Sequence, residues 1–204
     1  MPDRPGPELP PARTLVEAFL YLDLNHTPDG QSRAPHAPDL TPDDDDPVSV
    51  SRQAVLSEEE DAWRVRLGDV DVLVPYASED AARSEDLTFG PGVSELIDPG
   101  QWSLVAVTYA NRALEAAFLF AADSSDDAQY ESIAAGWRFA ADAVAEALKF
   151  LPDDADELPA EEFWTEMGRS AREDEPQRFT RAALERDLAY YRQSLTDFYR
   201  LHAE

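Results

Sequence analysis

The stretch DPGQWSLVAVTYANRALEAAFLFAADSSDDAQYESIAAGWRFAADAVAEALKFLP, residues 98–152, decides the architecture of this chain. Asp98 suits a helix N-cap, and Pro99 suits the first helical position because its missing N–H would have no partner there. From Trp102 to Ala122 there is no further Gly or Pro. Trp102, Leu104, Val105, Val107, Tyr109, Leu114, Phe118, Leu119 and Phe120 lie almost all round this helix, the pattern of a central one. In the second half Tyr130, Ile133, Trp137, Ala140, Val144, Leu148 and Leu151 recur three or four residues apart, which makes one apolar stripe. Pro152 stops it. The polar break Asp123-Ser124-Ser125-Asp126-Asp127 is short enough for an antiparallel helical hairpin and supplies a cap for the second helix. Trp137 and Phe118 are expected among the most buried residues.

On the C-terminal side, Asp153 to Leu158 reads as an acidic loop. Pro159 opens a shorter helix that turns Phe163, Trp164 and Met167 to the core and ends near Gly168 to Ala171. Thr180 then caps a final helix in which Leu184, Leu188, Tyr191, Leu195, Phe198 and His202 form a seam against other helices.

On the N-terminal side the clearest signal is a β-hairpin. Trp63, Val65 and Leu67 alternate with Arg64 and Arg66, Gly68-Asp69 forms a two-residue turn, and Val70, Val72 and Val74 follow. In that register Leu67 faces Val70, Val65 faces Val72 and Trp63 faces Val74, all on one side. Pro75 ends the second strand, since it has no N–H for a ladder. Val48 to Leu56 adds another strand through the acidic turn Ser57 to Asp61, and Tyr76 to Ile97 reads as an irregular connection. Residues 14–24 alternate between apolar Val16, Ala18, Leu20, Leu22, Leu24 and the set Leu15, Glu17, Phe19, Tyr21, Asp23, which favours a strand. A short helix competes, because Leu15, Phe19 and Leu22 also fit helical spacing. Pro28-Asp29-Gly30 is a turn, and Ser32 to Pro47 a mobile loop. The expected organisation is a Pro-rich flexible tail over residues 1–13, then a single α+β domain over 14–204. In it a small antiparallel sheet (14–97) packs on a bundle of about four helices (98–204).

Composition bounds the function. A hydrophobic content of 43% with 4 Trp, 7 Tyr and 9 Phe requires a folded core despite a net charge of −26. No apolar run reaches the roughly 20 residues of a membrane span, and Met1-Pro2-Asp3-Arg4-Pro5 is not the basic-then-apolar start of a signal peptide, so a cytoplasmic location is expected. Without cysteine there is no disulfide, thiolate nucleophile or Cys-based metal site. The acids are spread along the whole chain. They exclude the basic footprint that direct nucleic-acid binding needs, and they read either as proteome-wide adaptation to salt or as a surface for a basic partner.

No motif carries chemistry outright. Phe89-Gly90-Pro91-Gly92 lacks the donors and the Lys of a phosphate cradle. His26, His36 and His202 are isolated, and no ligand set stands at helical spacing, so no metal or other cofactor is expected. Glu162 and Glu166 share a face if they share a helix, and Asp126 and Asp127 stand at a helix start, but among 43 acids such pairs arise by chance. The aromatic stripes Tyr130-Ile133-Trp137 and Tyr191-Leu195-Phe198 read as core before they read as a ligand pocket.

Four phrases resemble a group of uncharacterised bacterial proteins: Glu17-Ala18-Phe19-Leu20-Tyr21-Leu22-Asp23-Leu24; Ser94-Glu95-Leu96-Ile97-Asp98-Pro99-Gly100-Gln101-Trp102; Lys149-Phe150-Leu151-Pro152; and Phe163-Trp164 with Glu175-Pro176 and Arg178-Phe179. In that group the first element is often followed by a cysteine knuckle for structural zinc. Here His26-Thr27-Pro28-Asp29-Gly30 takes its place, so the resemblance implies a turn kept without its metal. It brings no activity.

The functional expectation is a non-enzymatic acidic protein-binding module, of the immunity or antitoxin type, acting on a basic partner through Asp126, Asp127, Glu161 and Glu162. The alternatives are an enzyme or small-ligand binder with a pocket between sheet and helices, and a homo-oligomer of an acidic proteome.

Overall fold

The computed structural model describes residues 10–25, 53–121 and 126–202. The expected turn at 28–30, the loop at 32–47, His26, His36 and the start of the expected strand at 48–52 lie outside them. The fold is α+β, with an antiparallel sheet near the N-terminus and a helical C-terminal part. It divides into two compact units at Leu96–Ile97.

In the first unit α1 (Leu15–Asn25) is followed by β1 (Val55–Glu58), β2 (Ala62–Leu67), β3 (Val70–Pro75) and α2 (Tyr76–Ser84). The strands form a three-stranded antiparallel sheet in the order β1-β2-β3. The β2–β3 register is the one its alternation predicts, with Leu67 opposite Val70, Val65 opposite Val72 and Trp63 opposite Val74. Gly68 takes φ +57° at the turn, a backbone conformation that costs a residue with a Cβ. Val65, Leu67, Val72 and Val74 are buried on one face, against which α1 packs. On the other face Arg66 Nε donates to Asp71 Oδ1 at 2.6 Å and Arg64 Nε to Glu59 Oε1 at 2.7 Å.

Three expectations are corrected in this unit. The segment from Leu15 is a helix, not a strand. Its start is fixed by polar groups: Thr14 Oγ1 accepts from Glu17 N at 3.1 Å, the Thr-x-x-Glu spacing of a capping box. The Glu17 carboxylate turns back to Arg13, accepting from its backbone N at 2.7 Å and from Nη2 at 2.7 Å. Arg13 Nη1 in turn donates to the Gly92 carbonyl at 2.6 Å, and its own carbonyl accepts from Ser78 Oγ at 2.7 Å. Apolar residues at nearly every position of α1 had left its period undecided. The connection after β3 is not irregular at its start, because Pro75 both ends the strand and precedes α2. Finally β1 begins at Val55 and includes Ser57 and Glu58, so the acidic turn is confined to Glu59 to Asp61.

The second unit holds α3 (Pro99–Phe120), α4 (Asp127–Leu148), α5 (Glu166–Asp174) and α6 (Arg181–His202). α4 packs along both α3 and α6. Asp98 is wholly buried and joins two helix starts. Its Oδ1 accepts from Gln101 N at 2.9 Å while Gln101 Oε1 accepts from Asp98 N at 3.2 Å, a complete capping box for α3. Its Oδ2 accepts from Thr165 N at 2.9 Å and Thr165 Oγ1 at 2.7 Å, and Thr165 caps α5. The two helices meet so closely here that a Cβ at Gly100 would stand 2.5 Å from Gly168 Cα.

In this unit too the structure departs from the sequence pattern at two places. Trp137 is buried, but Phe118 is 72% exposed and its place is taken by Phe120. The inner face of α3 runs through Trp102, Val105, Ala106, Tyr109, Ala110 and Ala113 to Phe120, so the small residues, not the count of large ones, mark its phase. Pro159 opens only a single 3-10 turn, Ala160–Glu162, and α5 starts afresh at Glu166. Phe163 between them is buried, whereas Trp164 is exposed.

Candidate partner-binding surface

The chain enters α4 at Asp126, whose carboxylate accepts from Ala128 N at 3.0 Å and Gln129 N at 3.2 Å. Asp126 and Asp127 are both exposed. Glu161 and Glu162 belong to the 3-10 turn after Pro159, the first exposed and the second half-buried. Since α4 has 22 residues, it is about 33 Å long, and the two acid pairs stand at its opposite ends. Nor do Glu162 and Glu166 share a helix face, because the turn and α5 are separate elements.

Ring contacts show which helix ends meet at Asp126. Phe120 at the end of α3 lies 6.1 Å from Tyr130 near the start of α4, and 6.1 Å from Phe198 and 5.1 Å from His202 at the end of α6. His202 is thus packed edge-on into an aromatic cluster. The C-termini of α3 and α6 therefore share one end of this unit with the N-terminus of α4. The partial negative charge at a helix C-terminus is roughly half an elementary charge; here the N-terminus of α4 opposes that of α3, and α6 carries Arg200 and His202 in its own last turn. At the same end Phe118, Leu119 and Leu201 are 72%, 70% and 79% exposed. Large apolar side chains beside the exposed carboxylates of Asp126 and Asp127 are what a protein-binding surface offers.

Two clefts also open on the surface. One of about 380 Å³ is lined by Ala160, Phe163, Arg169, Arg172, Glu173 and Pro176, with the Arg172 guanidinium 5.3 Å above the Phe163 ring. Arg169 Nη1 is committed to the Trp164 carbonyl at 2.6 Å, and the lining holds a single carboxylate and no hydroxyl or imidazole, so it presents no acid–base pair. The other, about 460 Å³, lies over the outer sheet face between Val55, Ser57, Glu59, Arg64 and Arg66, whose charges are matched by the ion pairs given above. Perturbed titrations have structural causes. The hydrogen bond from Arg66 holds Asp71 below the usual carboxylate range, and burial pushes Tyr21 and Tyr191 up. Among the described residues no three His, Asp or Glu side chains gather to hold a metal ion, and no helix is long and apolar enough to cross a membrane.

Sequence reasoning named Asp126 and Asp127 from their place at a helix start. It missed the exposed Phe118 and Leu119, although the helical phase of α3 counted from Trp102 would have turned both outward. Comparison with known protein families, with curated proteins and with solved structures finds no match for this chain.

Proposed function

We propose that the chain is a non-enzymatic, acidic protein-binding module that takes a basic partner, in the manner of an immunity or antitoxin protein. One observation carries the reading: Phe118, Leu119 and Leu201 stand exposed at the end of the helical unit that also bears Asp126 and Asp127. A net charge of −26 speeds encounter with a basic surface, and exposed apolar side chains then supply short-range affinity that charge alone does not. Glu161 and Glu162, at the far end of α4, belong to a second contact or to none.

The test is affinity capture from the source cell with the full chain, in low and in high salt, beside the variant Asp126→Asn with Asp127→Asn, which keeps a capping oxygen at the start of α4. A basic protein should be retained at low salt, released at high salt and retained less by the variant, because steering is screened over about 8 Å at physiological ionic strength. Absence of any basic partner at low salt, together with a fold that melts earlier there than in high salt, would mean that the acids serve solubility and self-repulsion alone.

A further inference from the structure

The face of α3 that α5 covers at its start is left bare farther on. Gly100, where α3 touches Gly168 of α5, and Phe118 are 18 residues apart, which at about 100° per residue is five whole turns and brings them to the same side of the helix. Along that side Asn111, Leu114, Glu115, Phe118 and Ala121 are all exposed. From Asn111 to Ala121 the bare face spans about 16 Å, three turns. Nothing among the described residues lies over it.

Resting on the binding reading above, we propose that this face seats an amphipathic basic helix of the partner protein, of roughly 10–12 residues, continuing the layer that α5 begins. Leu114 and Phe118, four residues apart, form the apolar anchor line, as in other helix-in-groove pairs. Charge selects the occupant. Glu115 stands on the face itself, and the exposed Asp126 and Asp127 lie beyond its end. Arg112 points about 120° away from Phe118 round the helix. A second copy of this chain would bring another −26 against these groups, and the chain's own Asp43 to Asp46 stretch is equally acidic. A helix with an apolar stripe between Lys or Arg rows satisfies both the apolar line and the negative rim.

Three synthetic peptides test this by fluorescence anisotropy with the full chain at low salt: one with Leu at positions i, i+4 and i+7 between Lys residues, one of the same composition with the order permuted, and one with Glu for every Lys. The patterned basic peptide should bind about tenfold or more tighter than the permuted one, and the acidic peptide should not bind. Phe118→Asp should reduce the patterned peptide to the permuted level even though it adds negative charge, an effect opposite in sign to general attraction. Leu114→Gln is the companion variant should Phe118→Asp alter the fold by circular dichroism. Equal binding of the patterned and permuted basic peptides would overturn the groove while leaving a basic partner in place. Binding by neither would remove both readings. A dimer in sedimentation that Phe118→Asp converts to monomer would assign the face to a second copy and so overturn the proposal.

Discussion

Replacing Asp98 by Ala should be among the most damaging single changes in the helical unit. The side chain is wholly buried and receives Gln101 N, Thr165 N and Thr165 Oγ1. Loss of the N-cap of α3 costs about 1 kcal/mol. Leaving the half-buried Thr165 N without an acceptor costs about 1–3 kcal/mol more, and the cap of α5 loses its anchor at the same time. The sum, about 2–4 kcal/mol, is a large part of the roughly 5–15 kcal/mol by which domains are stable. Asp98→Asn separates the contributions, because a single amide oxygen can serve the α3 cap or Thr165 but not both. It should cost about half as much. Urea unfolding of the full chain, followed by far-ultraviolet circular dichroism, reads the change as a lower midpoint at an unchanged slope. A loss below about 1 kcal/mol for Asp98→Ala would refute the assignment of Asp98 as the joint between the two helix starts.

Phe120→Ala should destabilise by about 3–5 kcal/mol and Phe118→Ala by less than about 0.5, since only the first is buried; equal thermal melts for the two would reverse the phase given to α3. Gly68→Ala should cost roughly 1 kcal/mol by forcing a Cβ into positive φ, and a neutral result in chemical denaturation would show that the β2–β3 turn differs. In a carboxyl titration by NMR Asp71 should release its proton below the range of solvated aspartates because of Arg66. Its small stabilising contribution is therefore present above the ordinary aspartate pKa and lost as the pH falls through the lowered one. Arg66→Gln should move the Asp71 midpoint back up, and a midpoint that stays put would assign the shift elsewhere.

Where several local signals agree, the chain is legible. Asp98-Pro99 marks the start of α3, Gly68-Asp69 sets the register of six facing residues in β2 and β3, and Thr180 with a steady apolar seam gives α6. Where one signal stands alone, it misleads. Residues 15–25 are apolar at so many positions that both periods fit, and the decision falls to Thr14, Glu17 and a salt bridge with Arg13 that itself depends on carbonyls at Gly90 and Gly92. Phe118 reads as core only while large side chains count above Ala106, Ala110 and Ala113, which are the residues buried along the inner face of α3. The candidate site was half legible for a related reason. A helix start can be read from Asp126-Asp127, but which other helix ends meet it is a tertiary fact carried by Phe120, Phe198 and His202.

The anchoring of Arg13 also bears on the order in which the chain is made. Its side chain binds the Gly92 carbonyl 79 residues later in sequence. At about 5–20 residues per second of synthesis, α1 therefore leaves the ribosome some 4–16 s before the loop that holds its first turn exists. An eleven-residue helix is too short to persist alone over that time. The β2–β3 hairpin and the α3–α4 pair, by contrast, are built from neighbours and can close as they emerge. Until the β2–β3 sheet forms, α1 has nothing to pack its Leu20 and Leu22 against, and its first turn gains its last anchor only when Gly92 appears.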